Sequence, residues 1–270
     1  MWSRELSEIE IKKEGHTMFF DTHAHYDDPR FNADRDALLA SLPEKGVGRI
    51  VNCGSDAASS RRSLAMAEKY PHVYAAAGIH PESAGDYTSD DLLAVEALLK
   101  EDKVAAVGEI GLDYYYEDAA PREVQLELLR LQLRLAVEKD LPVVIHDREA
   151  HADSLMAVKE VPKLRGVFHC YSGSVEMALE LTKLGWYFSF GGSVTFKNAR
   201  KAPEVIAALP PDRILLETDC PYLAPVPFRG KRCDSSLLPY TAAAIAAFRG
   251  VSAEEIEALT WENACRFFNL

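Results

Sequence analysis

Cysteines and long hydrophobic runs are both scarce in this sequence. The five cysteines among 270 residues never form a Cys-x-x-Cys pair. Neither a disulfide framework nor a thiolate zinc site is therefore expected, and a reducing cytoplasm is the expected compartment. The longest apolar runs, such as residues 242–248, contain seven residues, whereas a membrane span needs about 18. We predict no membrane span, and the N-terminus lacks the apolar segment of a secretory signal.

Positive charge is also in short supply. The chain has 30 Lys and Arg against 42 Asp and Glu, which gives a formal net charge of −12. This balance argues against a protein that coats nucleic acid through bulk electrostatics. It does not exclude a nuclease, because bound metal ions can supply positive charge locally.

A repeating strand–helix pattern begins at residue 18. The predicted strands are 19–22, 49–52, 73–77, 104–109, 143–146, 166–170, 187–191 and 214–219. Eight parallel strands joined by right-handed helical crossovers predict an α/β protein, a single (β/α)8 TIM barrel over residues 18–270. The alternative is an open doubly wound sheet, which would be expected to carry a GxGxxG or P-loop motif that this sequence lacks.

Several helices have recognisable starts and apolar stripes. Helical spacing covers 56–69, 122–139 and 175–184. The N-cap candidates are Asp56, Ser89, Ser174 and Ser252, the last with Glu255 as a capping box. In the stretch 122–139, the apolar stripe comprises Val124, Leu128, Leu131 and Leu135 and extends to Val137, with Glu and Arg on the other side.

Residues 1–17 are highly charged and show no clear periodicity. We expect this segment to be a disordered or loosely docked extension, with Met18 as the original start of the protein. A short helix packed on the barrel is the alternative.

Metal-ligating residue types occupy the predicted strand ends, where barrel enzymes have their active sites. His23 and His25 lie two residues apart on a strand and therefore point to the same side. The full set is His23, His25, Glu109, His146, His169 and Asp219. Imidazole and carboxylate donors suit Zn, Mn, Fe or Mg. With Glu109 as a bridge, the six donors could hold two ions about 4 Å apart.

Six motifs follow one another along the chain: FDTHAHYDD, GIHP, GEIGLDYY, PVVIHDREA, FHCYSGS and LETDCPYL. In this order they resemble the TatD family of metal-dependent deoxyribonucleases, within the amidohydrolase-type barrels, from Met18 to Leu270. The resemblance implies two divalent ions, Mg, Mn or Zn. One would be held by His23, His25, Glu109 and Asp219, and the other by Glu109, His146 and His169.

The resemblance also implies an activity, hydrolysis of phosphodiester bonds in DNA by an exonuclease acting on single-stranded ends, without an obligate protein partner. Asp219 and Glu109 are the expected catalytic residues, and Asp219 is the candidate general base because it can accept the proton of an activated water. The alternative is a hydrolase of the same barrel class acting on an ester, amide or lactone. A non-enzymatic scaffold is a third interpretation, disfavoured because all six ligand positions are intact.

Substrate contacts are expected from Arg148, Arg229 and Lys231, which could pair with phosphate, and from His80. A solvated charge run is the alternative for Lys231 and Arg232, and ordering of the rim is the alternative for His80. Residues 114–116, three tyrosines, could stack on a base or pack over a loop. The segment FRGKRCDS, residues 228–235, departs from the HRGKRNEP usual in the resembling family, and we expect this change to affect substrate orientation more than metal binding.

Overall fold

Eight parallel strands, adjacent in chain order, form a nearly closed barrel in the structure, a computed structural model that describes residues 18–270. The segment 1–17, expected to be disordered or a non-native start, lies outside the described residues. The strands are β1 (Phe19–Ala24), β2 (Val47–Cys53), β3 (Val73–Ala77), β4 (Val104–Asp113), β5 (Val143–Arg148), β6 (Gly166–Phe168), β7 (Tyr187–Phe190) and β8 (Ile214–Leu216). The predicted (β/α)8 architecture is confirmed.

The barrel closes between β8 and β1 at the carboxyl ends of these two strands. Ala24 forms a parallel bridge with Cys220. The backbone N–H of His25 donates to the carbonyl of Cys220 at 2.8 Å, and that of Asp219 donates to the carbonyl of His23 at 3.0 Å. The last strand was predicted to reach Asp219 but ends at Leu216, so Asp219 lies in a loop that is hydrogen-bonded to β1.

Helices cover the outside of the barrel in residues 18–270. They are α1 (Arg35–Ser41), α2 (Ala57–Lys69), α3 (Ser89–Leu98), α4 (Arg122–Lys139), α5 (His151–Lys159), α6 (Val175–Lys183), α7 (Ala202–Ala208), α8 (Leu238–Arg249) and α9 (Ala253–Phe268). In this part of the chain, none of the helices combines the length and apolar character that a membrane crossing requires.

Three of the four predicted N-caps are confirmed. The side chains of Asp56, Ser174 and Ser252 accept from backbone N–H groups in the first turns of α2, α6 and α9. The prediction for Ser89 is wrong by one residue, because Thr88 caps α3 and Ser89 is its first helical residue.

The apolar stripe predicted for α4 is only partly right. Leu128 is buried, but Leu131 and Leu135 are half-buried and Val137 is exposed. Two glutamines, Gln125 and Gln132, occupy buried positions instead. Their side chains form hydrogen bonds with backbone groups, so a polar side chain can face the barrel there without an unpaired group.

Side chains on the two faces of the strands pack into two different cores. One face of each strand packs against the surrounding helices, in the larger core. On the alternate face, residues such as Phe20, Val51 and Val144 pack with Phe267 and Phe268 of α9. The barrel is thus filled towards the amino ends of its strands, and the polar side chains collect at the opposite, carboxyl ends, where barrel active sites lie.

Candidate metal centre

All six predicted ligands converge at the mouth of the barrel. His23 and His25 lie at the end of β1, Glu109 lies within β4 and His146 lies within β5. The other two lie in loops: His169 follows the end of β6 and Asp219 lies beyond β8. The backbone of Asp219 adopts φ 55°, a left-handed conformation that non-glycine residues rarely adopt and that is more frequent at functional sites.

Glu109 lies between two groups of histidines. Its Oε2 is 3.3 Å from His23 Nε2 and 3.4 Å from His25 Nε2. Its Oε1 is 2.9 Å from His146 Nδ1 and 2.8 Å from His169 Nε2. Each carboxylate oxygen therefore faces a different histidine pair, which is the arrangement that a bridging carboxylate requires.

Asp219 completes the first of these groups. Its Oδ1 lies 3.5 Å from His25 Nε2 and 3.8 Å from His23 Nε2. In each of three overlapping groups, the donor atoms lie within 4.8 Å of one another. The groups are His23, His25 and Asp219; His23, Glu109 and His169; and His80, Glu109 and His146.

The chemistry of these donors fits divalent cations. His23 Nε2 lies 3.0 Å from His25 Nε2, and His146 Nδ1 lies 3.2 Å from His169 Nε2. Two neutral imidazole nitrogens can approach in this way only when one of them carries a proton, because two lone pairs repel each other. A cation relieves that repulsion, and imidazole with carboxylate is a donor set that suits Zn or Mn.

Charges in the centre stabilise one another against the cost of burial. Burial alone would raise the pKa of the Glu109 carboxyl, but neighbouring histidines, His169 first, hold it well below its usual value. Burial opposes ionisation of Asp219 as well, yet its hydrogen bond with His25 lowers its pKa. Burial also disfavours charge on His25 and His169, but the carboxylates raise the pKa of both well above the usual value. Without a cation, these shifts favour the protonated form of both rings.

Hydrogen bonds on the outer side of two predicted ligands determine which ring nitrogen faces the centre. His25 Nδ1 lies 2.9 Å from the carbonyl oxygen of Cys53, which can only accept, so in the neutral ring Nδ1 carries the proton and Nε2 has the lone pair that a metal ion would need. His146 Nε2 lies 3.0 Å from Asp113 Oδ2, which leaves Nδ1 facing Glu109. Such outer hydrogen bonds fix the tautomer and raise the basicity of a metal-ligating histidine.

Sequence reasoning missed three buried carboxylates beside the ligands, Asp21, Asp113 and Glu217. Each lies inside one of the quoted motifs and within four residues of a predicted ligand, which is a usable signal. Glu217 Oε1 accepts from the backbone N–H of Cys170 at 2.7 Å and lies 3.7 Å from His169 Nδ1.

Asp21 joins β1 to the loop that carries Asp219. It accepts hydrogen bonds from Thr218 N at 2.9 Å, Thr218 Oγ1 at 2.7 Å and Ser235 Oγ at 2.6 Å. Burial raises the pKa of Asp21 to about 7. Ser235 belongs to the segment that departs from the pattern of the resembling family, and the structure places this residue behind the metal centre, against Asp21 and Tyr26.

His80 presents a proton, not a lone pair, to the centre. Its Nδ1 accepts from the backbone N–H of Glu82 at 3.1 Å. The proton of the neutral ring therefore lies on Nε2, 3.4 Å from Glu109 Oε1. This tautomer suits a hydrogen-bond donor to substrate better than it suits a metal ligand.

A cavity of about 630 Å³ opens above the six residues. Of the predicted substrate contacts, Arg148 and His80 line it, whereas Arg229 and Lys231 are not among its lining residues. Arg229 lies over the ring of Phe196, with 4.3 Å from its Cζ to the ring centroid. Arg232 is held by Asp34 through bonds of 2.7 and 2.6 Å.

Most carboxylates on the cavity wall have a cationic or histidine partner. The pairs are Asp27 with Arg62, Asp28 with Arg30, Asp113 with His146, and Asp147 with His151. In residues 18–270, Arg148 forms no such pair with a carboxylate; its Nη1 donates to the Tyr116 hydroxyl at 3.2 Å. Sequence reasoning did not select Arg62 or Tyr222, which also line the cavity.

An eight-stranded parallel barrel with histidine and carboxylate donors at its mouth is the architecture of barrel-type metal-dependent hydrolases. Comparison with known families agrees, since residues 20–269 match the family described as TatD related DNase. The chain belongs to this family and is a metal-dependent hydrolase, as the resemblance in its motifs implied.

Three relatives illustrate what is known of similar proteins. The "uncharacterized metal-dependent hydrolase YabD" of Bacillus subtilis is 44% identical, over 94% of this chain and all of its own length. The "3'-5' ssDNA/RNA exonuclease TatD" of Cronobacter sakazakii is 35% identical, over 92% of this chain and 97% of its own. The crystal structure of YjjV, a TatD homologue from Escherichia coli, superposes with a TM-score of 0.88 and 36% identity, covering 95% of this chain and 100% of that one.

Proposed function

We propose that this protein is a two-metal exonuclease that hydrolyses phosphodiester bonds at single-stranded DNA ends. The observation that carries the proposal is Glu109, whose two oxygens face two separate histidine pairs at distances of 2.8–3.4 Å. Relatives named as 3'-5' ssDNA/RNA exonucleases, 35% and 32% identical to this chain, support the choice of nucleic acid as substrate.

The ligand sets follow the two sides of Glu109. One ion would be held by His23, His25, Asp219 and Glu109, and the other by Glu109 with His146 and His169. Bound there, divalent ions supply a Lewis acid that polarises a phosphoryl oxygen and lowers the pKa of an attacking water.

Asp219 is the general base of this proposal. Burial by itself would raise its pKa, but the hydrogen bond with His25 and the charges of the neighbouring histidines together lower it below the usual value, so the carboxylate is ionised at neutral pH. It also lines the cavity, where it can accept the proton of the attacking water.

His80 and Arg148 orient the phosphate. The Nε2–H of His80 points towards Glu109 at the floor of the cavity, where a phosphate oxygen could accept it. Arg148 is free of carboxylate partners within residues 18–270 and is therefore available for charge-assisted hydrogen bonds to a second phosphate oxygen. Arg229 and Lys231 remain proposed as contacts for more distant parts of a strand.

Hydrolysis assays on metal-loaded protein test this function. The substrates are end-labelled single-stranded DNA, duplex DNA and a panel of carbonyl esters, with Mg, Mn or Zn. We expect cleavage of single-stranded DNA from its ends, abolished by Asp219→Ala and unaffected by Asp212→Ala, which removes an exposed carboxylate before β8. Turnover of esters without turnover of DNA would instead favour the carbonyl hydrolase.

A further inference from the structure

Two exposed tyrosines line the cavity on opposite sides. Tyr116, 44% exposed, follows β4, and Tyr222, 48% exposed, follows β8. The strands follow one another around the barrel in chain order, so β4 lies across the mouth from β8. The candidate metal centre, with Glu109 on one side and Asp219 on the other, lies between the two rings.

Tyr222 is held in place although its ring is exposed. The guanidinium carbon of Arg30 lies 4.0 Å from the ring centroid. Arg30 is itself fixed by two hydrogen bonds to Asp28, of 2.9 and 2.8 Å, and the Tyr222 hydroxyl approaches the same carboxylate at 3.5 Å. A large apolar ring that is both ordered and exposed loses little entropy when a ligand packs on it.

Tyr116 has a comparable support on the other side. The guanidinium of Arg148 lies 3.8 Å from the ring centroid of Tyr115 and donates to the Tyr116 hydroxyl at 3.2 Å. The Tyr115 and Tyr116 rings are nearly perpendicular, at 87°, with centroids 5.1 Å apart. An arginine therefore lies beside each of the two cavity-lining tyrosines.

We infer that Tyr116 and Tyr222 are stacking surfaces for unpaired bases on either side of the phosphate that is cut. This inference rests on the proposed function and adds the feature by which the site would select its substrate, namely unpaired bases. Aromatic rings stack on any base, whereas bases inside a duplex are already stacked on one another. Arg148, which the proposed function assigns to the phosphate that is cut, lies beside Tyr116, whereas Arg30 is paired with Asp28 and holds the Tyr222 ring. The occupant is a short single strand, bound with little sequence preference.

The test is the fluorescence of 2-aminopurine, which falls when this base stacks on an aromatic ring. Short single strands with hydrolysis-resistant phosphorothioate linkages carry 2-aminopurine at each position in turn and are titrated with metal-loaded protein. We expect two quenched positions that flank one linkage. Tyr222→Leu should abolish quenching at one of them and weaken binding by about 5- to 150-fold, and Tyr116→Leu should do the same at the other.

Two further variants separate stacking from other effects. Tyr222→Phe keeps the ring and should keep the quenching, although it loses the hydroxyl near Asp28. Tyr74→Leu is the matched control, because Tyr74 also lies beside a cation, Lys103 at 4.3 Å, but does not line the cavity; it should quench and bind like the unmodified protein.

The outcomes distinguish this inference from the proposed function. In one outcome, the unmodified protein degrades single-stranded DNA, and both Leu variants quench 2-aminopurine and bind the strands as it does. The assignment of Tyr116 and Tyr222 as stacking surfaces is then wrong, but the proposed nuclease activity is retained. If the unmodified protein neither binds the strands nor degrades DNA, both proposals are overturned.

Discussion

Replacing Glu109 with Gln keeps the size of the side chain but removes its charge and turns one acceptor oxygen into a donor. Because the two oxygens face different histidine pairs, the change should weaken both ion positions. We expect metal affinity to fall by more than the 10- to 100-fold that the loss of an outer hydrogen bond typically costs. Metal content after purification without chelators, together with calorimetric titration, measures the loss.

Glu82→Gln is the matched control for that variant. Glu82 also lines the cavity, but its side chain is 62% exposed and lies 3.9 Å from His80. Its metal content should remain that of the unmodified protein, and equal metal content in both variants would refute the bridging role of Glu109.

The protons on His25 and His169 predict how metal binding depends on pH. Both histidines have a raised pKa without a cation, because the carboxylates outweigh burial. A histidine must lose the proton from the nitrogen that binds a metal ion, so each bound ion displaces protons. Affinity should therefore rise as pH rises towards the raised pKa values and fall in acid, by up to about tenfold per pH unit for each displaced proton. Titration calorimetry in buffers of different ionisation enthalpy counts the protons, and a count of zero would contradict the prediction.

At the scale of the elements, the buried glutamines of helix α4 hold two backbone segments at the mouth of the barrel, the end of β4 and the residues after β3. Gln125 Oε1 accepts from the backbone N–H of Asp113 at 2.9 Å, and its Nε2 donates to the Asp113 carbonyl at 2.9 Å. Gln132 makes the same pair of bonds with Ile79, at 2.8 and 2.9 Å. These two backbone segments carry the partner of His146 and the neighbour of His80.

Gln125→Leu should therefore affect both stability and the metal centre. It leaves buried backbone groups of Asp113 without a partner, at a cost of about 1–3 kcal/mol for each group. It should also lower metal affinity, because Asp113 holds the outer nitrogen of His146. Urea unfolding and metal titration measure the two effects. Glu127→Leu, at an exposed position of the same helix, should change stability by less than about 0.5 kcal/mol; equal effects of the two variants would refute the role of Gln125.

For the whole molecule, the net charge of −12 predicts that the proposed DNA substrate makes few favourable contacts outside the mouth of the barrel. Each phosphate neutralised on a single strand contributes about −0.7 to the slope of log K against log salt. Arg148 is free of carboxylates in the described part of the chain, whereas Arg232 is bound to Asp34. One to three contacts, from Arg148 and the proposed Arg229 and Lys231, predict a slope of about −0.7 to −2.1. A salt titration of KM on single-stranded DNA measures it, and a slope steeper than about −3 would indicate a basic track elsewhere.

The amino-acid sequence by itself determined the barrel and the set of candidate ligands. Strand–helix alternation depends on local periodicity, and parallel strands bring their carboxyl ends to one side. His23, His25, Glu109, His146, His169 and Asp219 were therefore predictable as neighbours from their positions at strand ends alone. Capping residues such as Asp56 and Ser252 were also predictable, because a cap involves only the first turn of its own helix.

Only the tertiary structure decided which of the other polar residues reach the mouth. Arg148 and Arg232 look alike in sequence, but Arg232 meets Asp34, a residue far away in the chain. Gln125 reads as a surface residue until the backbone of β4 supplies its partners. The tautomer of His80 depends on a backbone N–H in a turn. The contacts of Arg232 and Gln125 join segments that are separated in the chain, and that of His80 depends on the conformation of its own turn; the residue types alone do not predict either.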